Sequence, residues 1–363
     1  MKILGLYPLH GNGGIASWSR KFIKSFPNEE FDIIAVDISP EKDFSLFRGG
    51  DRFVYGIKAL RRSISEIKRT IKNHPDLQIM HITTGGGFGV IRDNVLARIC
   101  RKHGIKCIMH CRFGVVKELF EGKSIISKVF RNSINSLYNQ IWVLDRRSYN
   151  YLKSHDSIKN KIFLTPNSIE VPTTCDFSPK TYRHIGYVGN LLPTKGVLEL
   201  VQAVAQCPKD TTLSLIGLGA EDFVNKLKET AGNRLDTNIK FLGRLPNDQA
   251  VKKMEEIDII ALPTYYSGEA FPISILEAMS RGKLVISCPR AAIPDMLTAI
   301  DGTQCGVLVA PKSSEELREA ILWCQQHSKE ADEMCKKAYE KVNNSYSKEV
   351  VYQIYRINYK KIL

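Results

Sequence analysis

Short apolar runs rich in Val, Ile, Leu and aromatic residues recur along this chain, with helix-length stretches between most of them. That alternation leaves few architectures open. KILGLYP (Lys2–Pro8) leads into a glycine-rich turn and a helix expected around Ala16–Phe26. FDIIAVDI, LQIMHITT, KCIMHCR, QIWVLD and KIFLTPN follow. Runs that are apolar on both faces and divided by helices predict parallel βαβ units. The pattern breaks at SIEVPTTCDFSPKT, a polar stretch with two prolines that reads as a linker. A second series then begins: HIGYVGN, TTLSLIGLG, NIKFLGRL, DIIALPT, LVISCP and GVLVAP. The expectation is α/β, two doubly wound domains in tandem. The first spans residues 1–167, the linker 168–181 and the second domain 182–345. An aromatic-rich helix over 346–363 is expected to return to the first domain. Ligands of such sheets sit at the carboxyl ends of the strands, so a cleft between the halves is the expected site.

With 363 residues and 43% hydrophobic content, two ordinary cores are within reach without a metal or disulfide staple. The nine cysteines form no CxxC pair, and most stand in apolar runs, as Cys288 does in LVISCP. They read as buried, reduced thiols of a cytoplasmic protein. The start, MKILGLYPLHGNGG, lacks the layout of a signal peptide, and no apolar run is long enough to span a bilayer. The net charge of +14 points to an anionic partner: nucleic acid, an anionic membrane surface or a phosphate-bearing substrate.

The segment carrying most chemistry is SGEAFPISILEAMSRGK, Ser267 to Lys283. It follows the run DIIALPT, and Pro272 suits the first position of a helix that ends near Gly282. Free N–H groups at a helix start attract phosphate. Helical spacing puts Glu277 on one face with Ser274 and Arg281, away from Ile273, Leu276 and Met279. Two readings stand side by side. Glu277 accepts hydrogen bonds from ribose hydroxyls and Glu269 from a sugar, or the two are an ordinary capping acid and a solvated helix acid.

Glu269 and Glu277 form E-x7-E, and EAFPISILEAMSRG resembles the signature of retaining family 4 glycosyltransferases of the GT-B fold, which pairs two Rossmann-like domains across a cleft. VGNLLPTKGVLELVQAV (Val188–Val204) is similar to the segment that opens the family's donor domain. LIGLG, FLGRLPNDQ and GVLVAP follow in the family's order, and GNGGIA resembles its glycine-rich loop after the first strand. The resemblance covers essentially the whole chain and is tighter in the second half. It implies that Lys195 contacts the donor diphosphate, that Glu269 holds hydroxyls of the transferred sugar, and that Glu277 holds the ribose. It further implies phosphate contacts from backbone around Ala270, Phe271, Pro272, Ile273 and Ser274, although Pro272 has no N–H to give. Gly13 and Gly14 would let backbone approach the diphosphate, and Gly243 and Arg244 lie near the base.

The chain departs from the family at several points. Asn190 stands where the family usually has Arg, so Lys195 alone or Arg290 of CPRAAIPD is left to neutralise phosphate. Ala270 replaces a usual Gly. KCIMHCRFGVVKELFE resembles the family strand that ends in a functional histidine: one register gives that role to His110, another puts Arg112 there. A lone histidine in an apolar strand also reads as a structural core residue. His81 is a weaker candidate, and Gly85–Gly87 a candidate acceptor wall.

No D-x-D motif and no Cys/His cluster of zinc spacing is present, so the expectation is metal-independent chemistry with no cofactor beyond the nucleotide-sugar co-substrate, a UDP- or GDP-sugar. The family mechanism implies transfer with retention, the leaving phosphate taking the acceptor proton. Two readings of other classes are a non-catalytic nucleotide-sugar-binding subunit and, from GNGG, a dinucleotide oxidoreductase. The full G-x-G-x-x-G fingerprint is absent after the first strand, which weakens the latter.

Two basic amphipathic segments complete the reading. In IKALRRSISEIKRTIK, Ile57, Leu60, Ile64, Ile67 and Ile71 form an apolar stripe beside Lys58, Arg61, Arg62, Lys68, Arg69 and Lys72. In GKSIISKVFRNSINSLY, Ile126, Phe130, Ile134 and Leu137 stand beside Lys123, Lys128 and Arg131. They are ordinary amphipathic helices, or they dock the protein peripherally on the anionic inner face of the cell membrane. The second reading suits a glycan or polyprenyl-diphosphate-linked acceptor. No aromatic-basic interleaving of the kind found in single-strand nucleic-acid grooves is present.

Overall fold

The computed structural model describes the chain except residues 12, 27–28 and 40–49, and for 50–54 and 247–248 it describes the backbone alone. Asn12 of the GNGG turn therefore lies outside the described residues. The chain divides into two compact units, Met1–Thr165 with Tyr352–Leu363, and Pro166–Val351.

The first unit holds a parallel six-stranded sheet: β1 (Lys2–Tyr7), β2 (Asp32–Asp37), β3 (Ile79–Thr84), β4 (Lys106–Cys111), β5 (Gln140–Val143) and β6 (Ile162–Leu164). The strand order is β2-β1-β3-β4-β5-β6. Helices α1 (Gly14–Ser25), α2 (Gly50–Asn73), α3 (Gly89–Lys102), α4 (Val116–Glu121), α5 (Ile125–Ser136) and α6 (Arg146–Lys153) connect the strands. The apolar stripes of α2, α3 and α5 meet Leu4, Met80, Ile82 and Met109 of the sheet in one core: Ile67 and Ile71 from α2, Leu96 and Cys100 from α3, Phe130 and Ile134 from α5.

The second unit repeats the plan with β7 (His184–Val188), β8 (Thr212–Ile216), β9 (Ile239–Gly243), β10 (Ile259–Leu262), β11 (Leu284–Ser287) and β12 (Val307–Leu308). Its order is β12-β11-β10-β7-β8-β9, again parallel throughout. The helices are α7 (Val197–Ala205), α8 (Glu221–Ala231), α9 (Asn247–Glu255), α10 (Ile273–Met279), α11 (Ile293–Met296), α12 (Ser314–Gln326) and α13 (Ser328–Tyr346). The twelve named strands coincide with the twelve apolar runs; the inner ones, such as β3, β5, β10 and β11, are buried on both faces, which leaves no polar alternation to blur their limits. The segment 168–181 has no regular structure, but it is not a free linker. It belongs to the second unit, where the Phe177 ring meets Tyr339 edge-on at 5.5 Å and Tyr339 donates to the Pro172 carbonyl.

The closing helix α14 (Lys348–Lys361) starts one residue after α13, and from Tyr352 onward the chain belongs to the first unit. Tyr355 and Tyr359 are fully buried there among Trp18, Phe22, Phe26, Phe31 and Trp142. The Gln140 amide donates to the Asn358 carbonyl at 2.9 Å, which fastens the helix to β5. All nine cysteines are free, eight of them buried, with Cys175 partly exposed. Among the described residues no helix is long and apolar enough to cross a membrane.

Candidate functional site

In a doubly wound sheet the strand order reverses at one place, and the loops on either side of it splay apart at the carboxyl edge. In the second unit that place lies between β7 and β10: β8 and β9 follow on one side, β11 and β12 on the other. Lys195 lies in the loop after β7, and Glu269 in the loop after β10. The structure brings them together: the Lys195 ammonium donates to Glu269 Oε2, with the side chains 17% and 11% exposed. Both charges are thus largely removed from water yet reachable from it.

The local backbone explains how the loops hold this pair. Pro193–Lys195 form one 3-10 turn, closed by Gly196 in the left-handed region at φ +72°. A Cβ at Gly196 would stand 2.2 Å from the Pro263 carbonyl oxygen, so only glycine fits. The loop after β10 is tied to this turn: Tyr265 N–H donates to the Thr194 carbonyl at 3.0 Å, and the Tyr265 hydroxyl donates to the Pro193 carbonyl at 2.8 Å. The Tyr266 ring lies 5.2 Å from the Lys195 ammonium, a cation–π contact. Sequence reasoning missed both tyrosines. The aromatic doublet ahead of SGEAF was the available signal.

The structure starts α10 at Ile273 and leaves Pro272 just outside it, at φ −69° and ψ 119°. This corrects Pro272 from first helical residue to N-cap: its φ suits a helix, but its ψ is extended. The helix is only seven residues long. Gly282 ends the segment at φ +61°, and Lys283 N–H reaches back to the Ala278 carbonyl. Glu277 is half-buried, as are Ser274 and Arg281, whereas Leu276 and Met279 are buried. Ala270 and Phe271 are buried too. The Asn167 amide donates to the Phe271 carbonyl at 2.8 Å, and the Phe271 ring meets Tyr346 edge-on. Phe271 is therefore a packing residue whose side chain turns inward.

Arg290 Nη2 donates to the Ser267 carbonyl at 2.8 Å, so part of its fork braces the Glu269 loop, while its buried Nε has no acceptor among the described residues. Ala292 N–H donates to the Ala270 carbonyl, which joins the loops after β10 and β11. Asn190 is exposed, and its carbonyl accepts from the Tyr187 hydroxyl at 2.7 Å. Gly243 sits at φ +65° at the end of β9, where its carbonyl accepts from Gly217 N–H; Arg244 beside it is exposed.

In the first unit the strand order reverses between β1 and β3. Gly13 caps α1 and Gly14 opens it, both exposed, with nothing within 4 Å of a Cβ added at either. His110 is fully buried, and burial together with the Arg112 charge holds its imidazole well below the usual range, hence neutral. Arg112, 7% exposed, follows β4 at the carboxyl edge with its guanidinium 3.8 Å from the Trp18 ring centre. Burial pushes it down to about 10, still cationic at neutral pH. His81 is buried alongside. Of the basic helix residues, Arg131 donates to the Phe120 and Gly122 carbonyls and Arg62 to the Ser39 carbonyl, so these two are engaged within the fold.

Comparison with known proteins places this geometry. Residues 176–341 match the family model described as glycosyl transferases group 1. An uncharacterized glycosyltransferase of Methanocaldococcus jannaschii is 31% identical over 138 residues, 38% of this chain and 34% of that protein. The phosphatidyl-myo-inositol mannosyltransferase of Mycolicibacterium smegmatis is 29% identical over 167 residues, 43% of this chain and 41% of that protein. The matched region thus spans well under half the length of either relative. Among solved structures, Anabaena HepE in complex with UDP superposes with a TM-score of 0.76 over 99% of this chain and 100% of its own, at 17% identity, a likeness of fold. Residues 176–341, most of the second unit, thus match the glycosyl transferases group 1 family model, and the chain as a whole has the GT-B fold of two Rossmann-like units.

Proposed function

We propose that the protein transfers a sugar from a nucleotide donor to a glycan or lipid-linked acceptor, with retention of anomeric configuration, in the making of a cell-surface polysaccharide. The observation that carries this reading is the Lys195–Glu269 pair beside the strand-order reversal of the family-matched unit. Donor binding re-partners both charges. Lys195 turns to the diphosphate, where its ammonium offsets the charge that grows on the leaving oxygen. Glu269, released from lysine, accepts hydrogen bonds from sugar hydroxyls. Glu277 takes the ribose, and backbone from Ala270 to Ser274, Gly243 and Arg244 complete the donor's surroundings within the second unit. Asn190 brings no charge, so Lys195 carries the neutralisation, with Arg290 bracing its partner's loop. The departing phosphate takes the acceptor proton, and neither glutamate serves as nucleophile.

The donor is tested by a thermal-shift panel of UDP-, GDP-, ADP- and CMP-sugars together with NAD(P). One nucleotide-sugar class is expected to raise the melting temperature, since a ligand at 100 times its dissociation constant stabilises by about 2.7 kcal/mol. HepE's UDP complex makes UDP-sugars the first to try. A shift with NAD(P) alone would overturn the reading, and binding without turnover would favour a non-catalytic subunit.

The acceptor side is proposed to meet an anionic membrane. Helix α3 directly follows β3 and so begins at the carboxyl edge of its sheet, and α2, α3 and α5 share one core. On and beside these helices the structure leaves large apolar side chains in solvent: Phe88 at 80% exposure and Ile125 at 77%, with Ile57 and Ile91 partly so. Lys58 of α2, Lys128 of α5 and Lys123 just ahead of α5 are exposed. Phe88→Ser with Ile125→Ser is expected to weaken binding to phosphatidylglycerol vesicles about thirtyfold in co-sedimentation, since each side chain contributes on the order of 1 kcal/mol when partly inserted. Equal binding by the variant and the parent protein would remove the membrane from the proposal.

A further inference from the structure

A line of polar side chains runs through the aromatic core of the first unit and ends at Arg112. Arg112 Nη1 lies 3.3 Å from His110 Nε2, and His110 Nδ1 lies 3.2 Å from His81 Nε2. His81 Nδ1 lies 2.6 Å from the Tyr359 hydroxyl and 2.9 Å from that of Tyr7. Both histidines and both tyrosines are fully buried. The Trp18 ring stacks beneath the guanidinium, 3.8 Å from it.

This line has only one consistent polarity. A guanidinium has donors and no acceptor, so His110 Nε2 must offer a lone pair. A neutral His110 then carries its proton on Nδ1 and donates it to His81 Nε2. His81 in turn is protonated on Nδ1 and donates to the phenols. The opposite tautomers would set two N–H groups face to face between Arg112 and His110, where both histidines are fully buried. Both rings are also held neutral, by burial first and by the Arg112 charge second.

We infer that Arg112 is the charge with which the first unit meets an anionic oxygen of the reacting ligands, and that His110, His81 and Tyr359 are positioning residues that fix its guanidinium. The inference rests on the glycosyltransferase reading and deepens it. Arg112 stands at the carboxyl edge, and the ring it stacks on comes from α1, the helix that opens at Gly13 and Gly14. His110, buried and with its Nε2 lone pair committed to Arg112, passes no proton to substrate. Because the line ends on Tyr359, the closing helix of the chain sets the pose of an arginine on β4's carboxyl end.

The test uses the full chain selectively labelled with 15N-histidine. His110 and His81 are expected to show a protonated Nδ1 and a bare Nε2, unchanged between about pH 5 and 8. In Arg112→Met the His110 signals should move toward a mixture of tautomers. A protonated Nε2 on His110 in the parent protein, or titration of either ring in that window, overturns the inference. A kinetic arm compares His110→Gln, which keeps an acceptor for Arg112, with His110→Leu, which does not. The Leu variant is expected to raise KM about tenfold, the Gln variant less than about threefold. Equal KM values for the two variants overturn the positioning role. If no donor supports transfer by the parent protein, the function reading fails while the tautomer measurement still decides the relay, as it also does should the Leu variant not fold.

Discussion

Lys195→Met is expected to lower turnover at saturating donor by about 100- to 1,000-fold, the range found when one preorganised group facing developing charge is removed. The structure separates this effect from simple unfolding. In the single variant Glu269, 11% exposed, keeps its charge and loses its partner, so the protein should also melt earlier. The double variant Lys195→Met with Glu269→Met removes the stranded charge. Its melting temperature should return toward that of the parent protein while activity stays lost. Glu269→Ala alone should abolish transfer through loss of sugar contacts, again with lysine stranded. Transfer rates and melting curves of the three variants check the scheme. A single Lys195 variant with parental turnover would remove the lysine, and with it the proposed grip on the diphosphate.

Gly196→Ala is expected to destabilise the second unit by about 3 kcal/mol or more. About 1 to 2 kcal/mol comes from placing a Cβ in left-handed backbone, and the remainder from the approach to the Pro263 carbonyl. For a unit of this size each kcal/mol lowers the melting temperature by about 2–4 °C, so a drop of roughly 6–12 °C is expected. Activity should fall as well, since the turn that yields is the one that carries Lys195. As a control, Gly243 also has positive φ, but a Cβ there would meet nothing within 4 Å. Gly243→Ala should therefore cost only the backbone term, about 1 kcal/mol. Equal losses at the two positions would show that the close approach at Pro263 is not what matters.

How far the sequence could be read follows from what each feature depends on. The strands were legible because fully buried parallel strands are near-continuous apolar runs, HIGYV and DIIALP no less than KILGLY. Lys195 and Glu269 were legible only through a family pattern. No spacing along the chain says that residues 74 apart meet, and their meeting follows from β7 and β10 being sheet neighbours. His110 could not be separated from Arg112 on sequence, since strand alternation gives both the same face. What distinguishes them is depth, with His110 beneath the aromatic cluster and Arg112 at the strand's end. The stripe on α2 was readable, but not that its first member, Ile57, is left exposed while Ile67 and Ile71 are buried. Arg131 and Arg62 looked like surface charge because nothing local marks the carbonyls they bind.

The path of the chain at its end has a bearing on how the protein is made. Residues emerge from the ribosome in order, and domains ordinarily close as soon as their own segment is out. Here that order is broken, since the sheet of the first unit is complete by Leu164 but Tyr355 and Tyr359 arrive almost two hundred residues later. During synthesis Phe22, Phe26, Phe31 and Trp142 must wait without their cover, and a nascent chain arrested before Tyr352 would present that aromatic surface to chaperones. Emergence of Tyr352–Tyr359, rather than translation of the six strands, is the event that seals the aromatic face of the first unit.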